Sequence, residues 1–422
     1  MNSFSQLAQN LVGSEIVRLG NIISQRLRDG ETIYNYTIGD FDPAFFPIPS
    51  GLKAAIQEAY AANRTNYPPA EGIDPLREAV AGHILDWLDL SYSSDEILIA
   101  SGGRPLIYSL FKMLVDPGDK VIYAVPSWNN NHYVEMNRGQ HCVIETTPEA
   151  SFMPTAAQLQ PHIQEAILLC LCSPQNPTGT TFSREALEEI CDLVLEENAR
   201  RGSEQRKLYV MYDQMYALLT YGSIQHHNPV SLRPAMKEYT VFIDGISKLF
   251  AATGVRVGWS LGPAPLIAKM KALLTHIGAW APMAEQVAVA NFLPNTTAVT
   301  AYLDQFRYGL ELRLRTIYDG IMSLKSDGFP VDAIEPQAGL YLTVKFDLAQ
   351  KEIAGQPQDQ EAVTAYLLQE ASLAVVPFYA FGASADSAWY RLSVGTCDLE
   401  TIPVMFKKLR TALEKLGQKQ LA

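Results

Sequence analysis

The sequence predicts an α/β protein built on a mostly parallel sheet, followed by a smaller α+β unit. Strand-like and helix-like segments alternate over most of its 422 residues, the pattern of crossover connections between parallel strands. The strand-like runs are apolar, with polar residues only at their ends, as strands covered on both faces must be. The length also exceeds the roughly 250–300 residues at which one hydrophobic core stops growing, so at least two packed units are required.

In chain order, Asp74-Pro75 opens a helix in which Leu76, Val80, Ile84, Trp87 and Leu88 recur at helical spacing, with proline in the first turn. Residues 97–100 read as a short buried strand ending in Ser101-Gly102-Gly103-Arg104, and 105–115 as a helix. Asp116-Pro117-Gly118-Asp119 makes a turn into a strand over 120–125. An apolar strand over 167–172, a helix over 183–200 capped by Ser183, and strands over 207–212 and 240–243 follow. An amphipathic stretch over 295–327 leads from this sheet into the second unit. There, strands near 340–346 and 390–393 and helices near 358–371 and 402–416 complete the chain. Glu335-Pro336-Gln337-Ala338-Gly339 punctuates its start.

Composition narrows the function. With 48% hydrophobic and 18% charged residues the chain can bury a large core. A net charge of -12 argues against a nucleic-acid partner, which needs clustered Lys and Arg. It leaves room for a small phosphate held by a few backbone amides and an arginine. No apolar run approaches the roughly 20 residues that span a bilayer, and the first 20 residues are too polar for a signal peptide. Five cysteines without metal-like spacing read as buried free thiols of a cytoplasmic protein, and His226-His227 as surface loop, so no metal is expected.

In parallel sheets ligands bind beyond the carboxyl ends of the strands, which draws attention to the residues that follow each run. Gly102 and Gly103 let amides at a helix start approach an anion, although a strand-to-helix turn needs glycine for geometry alone. Asp213 stands at the mouth of a buried strand, either as a turn or helix cap or as the partner of a cationic ring nitrogen, with Tyr216 within reach of the same ligand. Lys248 lies between the apolar runs Val241-Phe242-Ile243 and Phe250-Ala251-Ala252, where desolvation lowers an amine's pKa and makes it nucleophilic. Arg256 brings a planar cation close by, and Arg391 could form a buried ion pair or capture a substrate carboxylate.

Read together, Ile38-Gly39-Asp40, Asn66-Tyr67-Pro68, Ser173-Pro174-Gln175-Asn176-Pro177, Ser247-Lys248 with Gly254-Val255-Arg256-Val257-Gly258, and Tyr390-Arg391 fall in one order along nearly the whole chain. In that order they resemble class I/II aminotransferases of the aspartate aminotransferase superfamily, pyridoxal-phosphate enzymes of fold type I. The resemblance implies a large cofactor-binding domain over 51–310 with a seven-stranded, three-layer α/β/α core. It adds a small α+β domain over 311–422 and an N-terminal arm over 1–50 that contributes to the small domain. By the same resemblance Lys248 is the lysine that holds pyridoxal 5'-phosphate, and Asp213 keeps its ring nitrogen protonated. Asn176 and Tyr216 face its phenolic oxygen, Gly102, Gly103, Arg104 and Arg256 hold its phosphate, and Trp128 stacks on its ring. Gly39, Asn176 and Arg391 take the substrate's α-carboxylate, and Tyr67 reaches the neighbouring site of a homodimer. One departure is Gly245, where the family often has a hydroxyl residue contacting the phosphate.

The activity implied is ping-pong transfer of an amino group from an L-amino acid to a 2-oxo acid, with 2-oxoglutarate as the default acceptor, Lys248 moving the proton and Asp213 sustaining the electron sink. A carbon–sulfur β-lyase shares Lys248, Asp213 and Arg391 and is the nearest alternative. A non-catalytic cofactor-binding regulator would carry an added DNA-binding segment, for which the N-terminus offers no basic stretch. A second cation for a distal carboxylate is not identified beyond Arg104, a candidate by position.

Overall fold

The computed structural model describes residues 4–10, 13, 15–349 and 359–418. Its large sheet has seven strands: β1 (Ile97–Ala100), β2 (Lys120–Val125), β3 (Gln140–Glu145), β4 (Ala166–Cys172), β5 (Tyr209–Asp213), β6 (Thr240–Gly245) and β7 (Gly258–Leu261). Their order is β1-β7-β6-β5-β4-β2-β3. Only β7 runs against its neighbours β1 and β6, and every other pair is parallel. The carboxyl ends of the six parallel strands therefore share one edge, and β7 begins at that same edge.

Alternate residues of each central strand enter different layers, as a period of two requires. Leu169, Val210, Tyr212 and Phe242 join one apolar cluster with Leu76, Val80 and Ile84 of helix α1 (Asp74–Leu88). Leu168, Cys170, Met211, Val241 and Ile243 join another with Leu106, Leu110 and Phe111 of α2 (Gly103–Leu114). Two helical layers thus sandwich the sheet, as expected. The helix following β4, α3 (Arg184–Arg200), is capped as its sequence predicts, the Ser183 hydroxyl accepting from the Ala186 amide at 3.2 Å.

The amphipathic stretch forms one helix, α4 (Thr296–Ser326), capped by Asn295 and burying Val299, Leu303, Phe306, Leu310, Leu314 and Ile317 along one stripe. Helix α4 continues unbroken past residue 310. A second, antiparallel sheet contains β8 (Val331–Ala333), β9 (Tyr341–Phe346), β10 (Val376–Pro377) and β11 (Trp389–Ser393), in the order β10-β11-β9-β8. Tyr34–Asn35 pairs in parallel with Leu373–Ala374, tying the early chain to this part of the molecule.

The chain's own patterning left out β3 and β7. In β3 only Cys142 and Ile144 are buried, so it reads as an amphipathic edge, and β7 is a four-residue strand opening on glycine. All five cysteines are free. Among the described residues, no helix is long and apolar enough to cross a membrane, and no three His, Cys, Asp or Glu side chains gather as a metal site. His226 departs from the surface-loop expectation. Its ring is desolvated, which lowers its pKa to about 3, and it lies 3.2 Å from the Gln214 side-chain oxygen.

Candidate active site

A cavity of about 310 Å³ opens at the carboxyl edge of the large sheet and is closed on its far side by Tyr341 of β9 and Arg391 of β11. Most of the predicted site residues meet here. Gly39, Gly103, Arg104, Trp128, Asn176, Asp213, Tyr216, Lys248, Arg256 and Arg391 all line it. Tyr67 does not: it is 82% exposed, its ring set edge-on against Trp280 at 5.2 Å.

One end is an anion cradle. Helix α2 begins at Gly103 with no side chain capping its first turn, so its amides remain available. Gly102 has a φ of +87°, and a side chain there would run into the Arg256 guanidinium. Arg256 donates to the carbonyls of Thr253 (2.6 Å) and Ser101 (2.8 Å), which hold its planar group beside the helix start. Its own backbone is left-handed, with a φ of +63°, a conformation that persists where the surroundings over-determine it. Arg256 precedes the reversed strand β7, and that reversal is what returns it to the carboxyl edge of β1 and β6.

Gly245 now has a physical reason. A Cβ at this position would lie 2.7 Å from the Gly258 Cα and 2.8 Å from the Val257 carbonyl oxygen, so β6 and β7 leave no room for a hydroxyl side chain. The nearby hydroxyl is instead Ser247, 3.4 Å from Arg256. Gly245→Ser is expected to destabilise the cofactor-free protein by about 1–3 kcal/mol. Gly245→Ala should do the same in thermal unfolding, because the clash arises at Cβ. Unchanged midpoints in both would show that the strands can part there.

Asp213 ends β5. One of its carboxylate oxygens accepts from the Met215 amide at 3.1 Å, and no cationic side chain pairs with it among the described residues. Desolvation raises its pKa to about 6. Lys248 projects from the short helix Ile246–Leu249 and donates to the Gly39 carbonyl at 2.6 Å. Desolvation lowers its pKa to about 8, opposed by Asp40 and reinforced by Arg391, Arg256 and Arg104. Asp40 is in turn anchored by the Thr253 hydroxyl at 2.6 Å.

Arg391 is 2% exposed. It donates to the Asn176 side-chain oxygen (3.2 Å) and the Thr37 carbonyl (2.6 Å), while its Nε has no partner among the described residues. The segment bearing Gly39 is bound alongside β11, the Ser393 amide and hydroxyl donating to the carbonyls of Tyr36 and Ile38. This segment therefore lies against both Lys248 and Arg391. Arg104 faces the cavity with its guanidinium 5.4 Å from the Trp128 ring, and no ion pair holds it among the described residues. Tyr216 lies with its hydroxyl 3.0 Å from that of Tyr341.

The sequence reading missed Tyr341, Asp40 and Thr253. Tyr341 sits in a correctly predicted strand, but nothing in its neighbours indicates which face meets the cavity. Asp40 was visible only as part of the Ile38-Gly39-Asp40 motif.

The residues present fit a phosphorylated cofactor with a carbonyl and a basic ring nitrogen. The uncapped helix start and Arg256 suit its phosphate, the unpaired desolvated Asp213 suits a cationic ring nitrogen, and the Lys248 amine suits its carbonyl. The model of the family "aminotransferase class I and II" matches residues 33–409. An aspartate aminotransferase of Bacillus sp. (strain YM-2) is 30% identical over 346 residues, 80% of this chain and 82% of that protein. An aspartate/prephenate aminotransferase of Thermus thermophilus is 29% identical over 422 residues, 99% of each chain. The solved structure of Thermus thermophilus aspartate aminotransferase with maleate superposes with a TM-score of 0.85 at 28% identity, covering 98% of this chain and all of that one. The fold is thus that of the fold type I pyridoxal-phosphate enzymes. Within that class the chain belongs to the aminotransferase class I and II family and is a pyridoxal-phosphate-dependent aminotransferase.

Proposed function

We propose that this enzyme moves the amino group of an acidic L-amino acid, aspartate first among them, to 2-oxoglutarate by a ping-pong reaction in the cytoplasm. The observation that carries the reading is the set of cations around Lys248. Arg256 is committed to the anion cradle, Arg391 is buried with an unpaired Nε, and Arg104 is unpaired at the opening beside Trp128. Two carboxylates of one substrate would use the latter two. That several relatives are named aspartate aminotransferases supports the same substrate class.

In this reading Arg391, oriented by Asn176, binds the α-carboxylate, with Gly39 leaving space beside it. Pyridoxal phosphate, when bound, supplies an electrophilic carbon for the amino group and a ring that accepts the electrons of the broken C–H bond. The amine of Lys248, once released, takes the substrate's α-proton and returns it on the other side of the exchange. Asp213 holds a proton at the ring nitrogen, Tyr216 and Asn176 donate to the phenolic oxygen, and Trp128 covers the ring. The turn at Gly102, the backbone amides of Gly103 and Arg104 and the guanidinium of Arg256 surround the phosphate, which leaves the Arg104 guanidinium for the substrate. The exposed Tyr67, on a surface with Trp280, fits a contribution to the neighbouring site of a homodimer. The division into an arm over 1–50, a large domain over 51–310 and a small one over 311–422 belongs to the same reading.

A panel of amino donors with 2-oxoglutarate tests the proposal. Aspartate or glutamate should convert the bound cofactor to its amine form, and the oxo acid should restore it. Release of ammonia and pyruvate from cystathionine in place of that exchange would favour the lyase, which no named relative supports.

A further inference from the structure

We propose that Tyr341 is a positioning residue of the reaction, its hydroxyl donating to Tyr216 and its ring seating Arg391, so that carboxylate binding and the cofactor's phenolic oxygen are linked through one side chain. The inference rests on the roles proposed above for Tyr216 and Arg391.

Tyr341 opens β9 and is 2% exposed. Its hydroxyl lies 3.0 Å from that of Tyr216, with the rings edge-on at 5.7 Å, and makes no other hydrogen bond among the described residues. The direction of that bond follows from proton counting. Tyr216 has a single O–H, and once it donates to the phenolic oxygen it can only accept from its neighbour. Tyr341 must then be the donor. A hydroxyl that accepts a hydrogen bond becomes a better donor itself, and the low local dielectric strengthens both bonds. Burial raises the pKa of both phenols, so the relay keeps its protons at neutral pH.

The same ring has a second contact. The Arg391 guanidinium lies 4.8 Å from the Tyr341 ring centroid and 4.9 Å from that of Phe381. These aromatic platforms hold the planar cation in a desolvated site. Room for the hydroxyl depends on Gly39, because a Cβ there would lie 2.7 Å from the Tyr341 oxygen. A phenylalanine at 341 would preserve the platform and lose the relay.

The test is a pH titration of the holoenzyme's visible band in the wild type, Tyr341→Phe, Tyr216→Phe and the double variant, with kcat and KM measured alongside. Losing a donor to an anionic oxygen favours its protonated form, so the midpoint should rise, by about half to one unit in Tyr341→Phe. Turnover should fall about 3- to 10-fold, with KM for the amino donor within about 2-fold because the ring remains. Tyr341→Leu should add a rise in KM of about 10-fold. The decisive comparison is the cycle: in a Tyr216→Phe background, Tyr341→Phe should shift the midpoint no further. A midpoint that stays in place in Tyr341→Phe but moves in Tyr216→Phe overturns the relay alone. A shift that persists undiminished in the Tyr216→Phe background overturns it as well. If neither variant moves the midpoint, the role assigned to Tyr216 fails, and the relay fails with it.

Discussion

Lys248→Ala is expected to abolish the visible absorption of the holoenzyme and to lower turnover by about 10³-fold or more. In the reaction proposed above this amine binds the cofactor's carbonyl carbon and then carries the α-proton, so its loss would remove two functions together. The environment sets when it can act. Desolvation, reinforced by three arginines against the single opposing Asp40, lowers its pKa to about 8. Only the neutral amine is nucleophilic, and its fraction grows as pH rises through that value. Cofactor capture by the apoprotein should therefore quicken by about 10-fold between pH 7 and 9 and then level off. An ordinary lysine, with a pKa of roughly 10.4, would speed up by about 100-fold over the same interval without levelling. Stopped-flow absorbance after adding pyridoxal phosphate distinguishes the two profiles. A Lys248→Ala enzyme retaining both band and turnover would remove the residue from this role.

Asp213→Asn should act in opposite directions on the apoprotein and the holoenzyme. In the apoprotein the carboxyl is desolvated and lacks a cationic partner, and its pKa rises to about 6. The folded state then binds more protons than the unfolded state between about pH 4 and 6. This contribution favours folding below pH 4, is lost as pH rises through 6, and stays lost above it, a change of about 3 kcal/mol. The asparagine variant removes this penalty. Its apoprotein should gain stability over wild type as pH rises from 4 to 6, and keep that gain at pH 7.5. In the proposed holoenzyme the carboxylate would face the ring nitrogen's charge, and an amide could not replace it. Cofactor affinity should fall by about 10² to 10³-fold, and turnover should fall with it. Parallel unfolding curves for wild-type and variant apoproteins at all pH values would refute the desolvated, unpaired state of Asp213. Normal half-reaction rates in the variant would rule out its pairing with the ring nitrogen.

Much of this site was legible because its residues follow apolar runs. The runs over 97–100, 167–172 and 240–243 each became a strand whose end meets the cavity, so Gly103, Asn176 and Lys248 could be placed by chain position. Asp213 proved to be the last residue of its strand, which ends one residue later than the run over 207–212 implied. Arg256 could be recognised by motif, but its route to the phosphate end could not be read, because that route depends on the antiparallel direction of β7. Gly245, a departure from the family pattern in sequence, became a packing necessity once Gly258 was seen against it.

Local chemistry determines the periodic helices, the buried strands, the lysine set between apolar runs and the order of the motifs, since each depends on residues adjacent in the chain. Contacts between distant segments are a different matter. The bond of Lys248 to Gly39, the seating of Arg391 on Tyr341 and the hydroxyl pair of Tyr341 and Tyr216 join residues as many as 209 positions apart, and Tyr67 is kept out of its own chain's cavity. No periodicity encodes such pairings. They arise when two sheets of opposite character close on one edge, and the side chains that meet there are selected by register and volume.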